Sequence, residues 1–222
     1  MRPGGLALTR IALSRCCFGP GARVLDVGCG SAATVEFLID HSFNALGVDP
    51  SVMALRRGLK RNTTLPLISA EGEFLPFTDS TWDGVFLECV LSSTRDMGKV
   101  LGESRRILKS KGWLVLSDLY VTNPGEANTV RNLPHGCCLA STMTKDELLG
   151  KLNANGFQLA FWEDHSLALK TFIARLVFSY VSTEKFWSRI GQDNGDPADI
   201  REMNETIARV KPGYFLLIAQ KA

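Results

Sequence analysis

The chain is expected to fold as an α/β protein with a doubly wound, Rossmann-like, mostly parallel seven-stranded sheet. Three observations predict it. Short apolar runs alternate with helical segments through five repeats, the pattern of parallel strands covered on both faces. The first run, Val24-Leu25-Asp26-Val27, ends in the tight turn Gly28-Cys29-Gly30-Ser31-Ala32. The second, Ala45-Leu46-Gly47-Val48, ends in Asp49-Pro50, its acid twenty-three residues after Asp26. A glycine turn after strand one lets backbone approach a ligand closely, and an acid closing strand two can accept from ribose hydroxyls.

The elements follow in order. Arg2-Pro3-Gly4-Gly5 is a flexible lead into a helix over 6–17. Gly19-Pro20-Gly21 turns the chain into strand one, 23–27, and helix 33–41 carries Val35, Phe37, Leu38 and Ile39. Strand two is 44–49, and Ser51 can cap the next helix, 52–61. Strands three and four are 65–69 and 84–89. A helix over 97–108 ends at Lys109-Ser110-Lys111-Gly112, since cations followed by glycine form a helix-stop pattern. Strand five is 112–119. Thr144-Lys145-Asp146-Glu147 starts a helix running to about 154, with Gly156 ending it, and strand six is 157–165. One or two helices over 166–189, a turn cluster at 191–197 and a helix over 198–210 lead to a final strand, 214–220. The expected organisation is one domain, 1–222, with 1–22 as an N-terminal helix or lid and 166–211 as a helical insertion between strands six and seven.

Composition narrows the function classes. The 222 residues suffice for one α/β core, and a net charge of +2 shows no basic excess of the kind a nucleic-acid partner demands. No window of about 18 apolar residues is free of charge, and Arg175 interrupts the most apolar stretch, so no membrane span is expected. Arg10 and Arg15 break up 6–18, so no signal-peptide core is expected there. The expected compartment is the cytoplasm, where the six cysteines are thiols or ligands rather than a disulfide framework.

Two further motifs follow in order: Ala70-Glu71-Gly72-Glu73-Phe74-Leu75-Pro76-Phe77 with Asp79, then Trp82-Asp83-Gly84-Val85-Phe86-Leu87-Glu88-Cys89. With the glycine turn and Asp49, the series resembles the class I S-adenosylmethionine-dependent methyltransferases. Within them it is similar to the ubiquinone/menaquinone C-methyltransferase and arsenite methyltransferase branch. The resemblance is firm over 23–119. It implies S-adenosylmethionine as cofactor, a small-molecule methyl acceptor and an antiparallel last strand forming an edge hairpin with strand six. Asp26, Gly28, Cys29 and Gly30 match the first motif, around the amino-acid end of the cofactor. Cys29 takes the variable position between glycines and is expected to serve as a small residue. Asp49 is the expected ribose ligand through charge-assisted hydrogen bonds. Pro50, Ser51 and Met53 fall where an adenine face would rest. Glu71 and Gly72 match the segment that reads adenine, with Glu71 in place of the usual Asp. Ala32 replaces the third glycine of a dinucleotide turn, which argues against NAD.

The acceptor is expected beside the loop after strand four, at Glu88, Cys89, Ser92 and Ser93, where open α/β sheets bind ligands, and Glu88 is also an expected cofactor contact. The arsenite methyltransferases carry cysteines matching Cys89 and Cys138, although Ser141 and Thr142 replace their Gly-Ala and their further cysteine, which would fall near Val35, is missing. Two thiolates suit a soft trivalent arsenic, so Cys89 and Cys138 are the candidate substrate-facing residues. Cysteines are also common small buried apolar residues. Neither Cys16-Cys17 nor Cys137-Cys138 has zinc-ligand spacing, and no metal site is expected. His135 is a candidate base or ligand, or a surface loop residue; His41 and His165 read as helix-end and strand-end residues. The lead with Arg2 and Thr9 either closes over the cofactor or frays. The insertion, with Lys170, Phe172, Phe178, Tyr180, Phe186 and Trp187, is a lid, a homodimer face or core. Three functions stand: a small-molecule methyltransferase, a metalloid methyltransferase, and a non-catalytic S-adenosylmethionine-binding partner of another enzyme.

Overall fold

The computed structural model describes residues 2–131, 138–180 and 209–222. Its strands are β1 (Arg23–Val27), β2 (Asn44–Val48), β3 (Leu67–Ile68), β4 (Trp82–Glu88), β5 (Leu108–Tyr120), β6 (Phe157–Asp164) and β7 (Gly213–Lys221). They form one sheet in the order β3-β2-β1-β4-β5-β7-β6. The pairs from β3 to β5 are parallel, whereas β7 runs antiparallel between β5 and β6. The sheet is therefore the doubly wound, mostly parallel one expected, and β6 is the outer strand of the antiparallel pair.

The helices are α1 (Gly5–Arg15), α2 (Ala33–Asp40), α3 (Val52–Arg61), α4 (Met97–Ile107), α5 (Ala127–Arg131), α6 (Lys145–Ala154) and α7 (Ser166–Tyr180). The period of two along the central strands divides the core between the two faces of the sheet. Val85 and Leu87 join Leu114, Leu116, Phe215 and Leu217 beneath Val100 and Leu101 of α4 and Leu148 and Leu152 of α6. Phe86 points the other way, with Val24, Val115, Leu216 and Ile218, against Ala12 of α1 and Val35 and Leu38 of α2. Both faces are dry, which is why these strands read as nearly continuous apolar runs.

Three boundaries differ from expectation. Strand three shrinks to two residues, paired only with Gly47 and Val48. It is the sheet edge, and Pro66 has no N–H to extend the ladder, although its carbonyl accepts from Gly47. Strand four begins at Trp82, which is buried and lies under the Arg23 guanidinium. The helix before strand five ends at Ile107, and the strand begins at Leu108. Leu108 is fully buried and pairs with Trp82, so tertiary burial removes it from the helix before the cationic stop is reached. Of the insertion, α7 and residues 209–211 are described; Phe186, Trp187 and most of the helix expected over 198–210 lie outside the described residues. Among the described residues no helix is long and apolar enough to cross a membrane.

Candidate functional site

Gly28 and Gly30 both adopt the left-handed region, with φ of 72° and 55°. Their roles differ. A Cβ on Gly28 would lie 2.5 Å from Cγ2 of Val90, whereas one on Gly30 would meet nothing within 4 Å. The first glycine makes room for the loop after β4, and the second leaves an open face. The N–H groups of Gly28 and Cys29 donate to the Val48 carbonyl at 2.8 and 3.0 Å, stitching the turn to the end of β2. On the far side, Arg61 Nη2 donates to the Ser31 carbonyl at 3.0 Å while pairing with Glu36. Gly58 brings α3 so close that a Cβ there would sit 2.9 Å from that same carbonyl. Gly58→Ala gains helix propensity of about 1 kcal/mol, but overpacking against backbone costs ~1–3 kcal/mol. We expect a net loss of about 1 kcal/mol in urea unfolding; an increase in stability would show that the brace is loose.

Asp49 closes β2 and is nearly buried. Its Oδ2 accepts from Gly30 N and its Oδ1 from Ser51 N, both at 2.8 Å. Each oxygen keeps a lone pair, so the carboxylate is oriented and still able to accept from a ligand. Ser51 caps α3, accepting from Ala54 N at 3.2 Å. Asp49 lines a cleft of about 430 Å³ with Gly28 and Pro50 on one side and Glu71, Gly72 and Glu73 on another. Cys89, Val90, Ser93, Thr94 and Arg95 complete its wall. Gly72 must be small, because a Cβ would press on Val27 at 3.1 Å. Met53 does not line this cleft; it is 63% exposed on the first turn of α3. Cys29 packs against Gly47, where a Cβ would come within 2.7 Å of its sulfur, and burial pushes its thiol far above the usual range. That is the behaviour of a small space-filling residue.

Two further acids lie behind the turn. Asp26 is 2% exposed, and burial, with the nearby Glu88 and Asp49 charges added, raises its pKa well above the carboxylate range against the opposing pull of Arg2. The unfolded chain therefore releases this proton first, so stability falls as pH rises from about 3.9 through the native pKa. Asp26→Asn removes that loss. Its stability relative to wild type is expected to be higher at pH 7 than at pH 4 in urea unfolding, and a difference independent of pH would refute the assignment.

Glu88 is not a wall of the cleft. Its Oε1 accepts from Arg2 Nη2 at 2.7 Å and from Thr9 Oγ1 at 3.0 Å, and its Oε2 from Thr34 Oγ1 at 2.7 Å. Arg2 Nη1 also donates to Thr34 Oγ1. The carboxylate expected to face a ligand is instead taken up by the N-terminal lead, which docks rather than frays.

Cys89 lies in the left-handed region at φ 60°, uncommon for a residue with a Cβ. Its N–H donates to the Ser117 carbonyl at 2.7 Å, and its sulfur lies 3.0 Å from the hydroxyl of the fully buried Tyr214. That hydroxyl also reaches Ser117 Oγ at 3.2 Å. Burial, reinforced by Asp118, pushes the Cys89 thiol up to about 12, so it is a thiol, not a thiolate, at neutral pH. The buried Asp118 accepts from the N–H groups of Ser92 and Leu119 and holds the turn Leu91–Ser93 in place. Cys138 opens a short 3-10 turn, Cys138–Ser141, but its side chain lies outside the described residues, as do Cys137 and His135. Among the described residues no cluster of three or more His, Cys, Asp or Glu could hold a metal ion. His41 bonds the Phe37 carbonyl at the end of α2, and His165 pairs with Glu163 at the end of β6.

Of the residues singled out in the sequence, the fold gathers Gly28, Asp49, Pro50, Glu71, Gly72 and Cys89 on one cleft, with Gly30 bonded to Asp49. It adds Thr94 and Arg95, which no motif marked. Asp118 had a legible signal, an acid inside the apolar run Leu114–Leu119. Tyr214, contributed from 125 positions away, had none.

The profile of the family described as "Methyltransferase domain" matches residues 25–116. The match spans β1 to β5 and leaves the rest of the chain outside it. An uncharacterized methyltransferase, YodH, of Bacillus subtilis is 33% identical over 117 residues, covering 51% of this chain and 50% of that protein. A demethylmenaquinone methyltransferase of Renibacterium salmoninarum is 31% identical over 111 residues, covering 50% and 47%. The chain thus spans about half the length of these two relatives. Among solved structures, the [4+2]-cyclase SpnF superposes with a TM-score of 0.74 at 23% identity, covering 97% of this chain and 80% of that one. The geranyl diphosphate C-methyltransferase of Streptomyces coelicolor gives 0.68 at 14% identity, covering 97% and 80%. At these identities the likeness is one of fold, and a cyclase on the same fold shows that the site must carry the functional argument. All twelve residues that line the cleft fall within the residues that this family matches.

Proposed function

We propose that this chain transfers a methyl group from S-adenosylmethionine to a small-molecule acceptor. The observation that carries the reading is the oriented Asp49 carboxylate, set in one cleft with the glycine turn and with Glu71 and Gly72. The cleft suits the cofactor chemically: Asp49, Glu71 and Glu73 make it acidic, which favours a cationic sulfonium ligand, and Gly30 leaves room for backbone contact. Asp49 would hold the ribose hydroxyls, Glu71 and Gly72 the adenine, and the turn over 28–30 the amino-acid end. When bound, S-adenosylmethionine supplies an electrophilic methyl group whose bond to sulfur breaks as the acceptor attacks in line, sulfur keeping the electron pair. The chain's own residues position the reactants and exclude water, and Asp118 fixes the turn Leu91–Ser93 at the edge of the cleft. The relatives named for demethylmenaquinone and sterol methylation support a small organic acceptor. This reading places the protein in the cytoplasm, with no nucleic-acid partner. For the two-thiol metalloid reading, no described contact offers support, since the Cys89 sulfur is engaged by Tyr214.

Calorimetric titration with S-adenosylhomocysteine tests the cofactor site: saturable one-to-one binding is expected, and its absence would overturn the assignment. Release of S-adenosylhomocysteine with a panel of organic acceptors then separates an enzyme from a non-catalytic binder.

A further inference from the structure

A second, wider cleft of about 690 Å³ opens beside the first, and Thr94 and Arg95 wall both. The charge on the two sides differs. Against the acids of the first cleft, the second presents Arg95, Arg131 and Lys151, with Asp96 and Glu147 as its carboxylates. Both of those acids are already engaged. Asp96 caps α4, accepting from Lys99 N at 3.1 Å, with the Lys99 ammonium 3.8 Å away. Glu147 accepts from Thr144 N in the capping box of α6 and pairs with Arg131, contacts that hold its carboxyl below the usual range. Among the described residues, neither the Arg95 guanidinium nor the Lys151 ammonium is ion-paired with a carboxylate, although the Arg95 backbone N–H donates to Glu73 Oε1 at 3.3 Å. Two unpaired cations therefore flank a cleft whose apolar lining includes Met97 and Met143, flexible side chains that adapt to an apolar body.

We propose that this second cleft takes the methyl acceptor, and that the acceptor is a small organic anion whose carboxylate or phosphate is held by Arg95 and Lys151. The assignment rests on the first cleft being the donor site. An arginine fork and a lysine point charge share recognition of oxyanions, whether carboxylate or phosphate. The apolar body lies along Met97 and Met143. The shared wall at Thr94 is where the reactive end passes toward the donor.

The test uses the full chain with carbon-13-labelled methionine methyl groups, the Met97 and Met143 signals being assigned with Met97→Leu and Met143→Leu. Benzoate, phenyl phosphate and the uncharged benzyl alcohol are titrated with S-adenosylhomocysteine present. Both methyl signals are expected to shift at concentrations roughly tenfold lower for the anions than for the alcohol. The tighter of the two anions distinguishes carboxylate from phosphate. Lys151→Glu is expected to weaken anion binding about tenfold and Lys151→Gln by less, with alcohol binding and S-adenosylhomocysteine affinity within about twofold of wild type. Equal affinity for anion and alcohol, or undiminished anion binding in Lys151→Glu, overturns the proposal. Failure of S-adenosylhomocysteine to bind overturns the donor reading instead, and with it the assignment of the anion as methyl acceptor.

Discussion

Replacing Glu88 with alanine is expected to destabilise the fold by about 3 kcal/mol, the lower end of the range for breaking a buried ion pair. The carboxylate holds Arg2, Thr9 and Thr34 together, with side chains 5% exposed for Glu88 and 14% for Arg2. Truncation leaves a guanidinium with little water and no counter-charge, and the Nε of Arg2 already lacks a partner among the described residues. The small residual exposure of Arg2 places the estimate at the low end. Removing both charges together, as Arg2→Met with Glu88→Leu, is expected to cost less than Glu88→Ala alone, because no unpaired charge remains. Urea unfolding of the four proteins of that cycle measures the coupling. A loss under about 1 kcal/mol for Glu88→Ala would mean that the lead is undocked in solution.

Asp49→Ala is expected to weaken S-adenosylhomocysteine binding ten- to a hundred-fold. Losing charge-assisted hydrogen bonds to a sugar costs ~1.5–3 kcal/mol, and about 1.4 kcal/mol is tenfold. The same truncation strips an acceptor from Gly30 N and Ser51 N, so the glycine turn loses its tie to the end of β2. Asp49→Asn separates the effects: its amide oxygen preserves one backbone bond while the charge is gone, and an intermediate affinity is expected. Calorimetry reads the affinity, with unfolding as the control. Unchanged affinity in Asp49→Ala would remove this residue from the ligand site.

Local physics made most of the fold legible. Runs such as Val24–Val27 and Gly84–Leu87 are apolar on both faces because helices cover both sides of the sheet, and that pattern survives in one dimension. The capping box at Thr144 and Glu147 is a three-residue signal, and the structure contains it. Boundaries failed where a distant strand outcompeted a local stop, as at Leu108, which pairs with Trp82. The rim of the cleft was legible for the same reason as the strands. The glycine turn and Asp49 close consecutive parallel strands, and parallel strands bring their carboxyl ends to one edge.

Which acids face that cleft was decided by tertiary structure alone. Asp26, Asp49 and Glu88 all stand on or just past adjoining strands near the carboxyl edge, and local sequence does not show which of the three carboxylates is left free to accept. The fold buries Asp26, turns Glu88 toward Arg2 from 86 positions away, and leaves Asp49 anchored by two N–H groups with lone pairs to spare. Cys89 likewise looked like a ligand in the sequence, and became a capped thiol because Tyr214 arrives beside it on the antiparallel strand. The sequence by itself determined the alternation of strands and helices, the glycine turn and the acid after β2, since these rest on backbone conformation and on contacts a few residues apart. The partners of the buried charges were settled only by folding, because a charge taken out of water must be matched by whatever group the distant chain brings within reach.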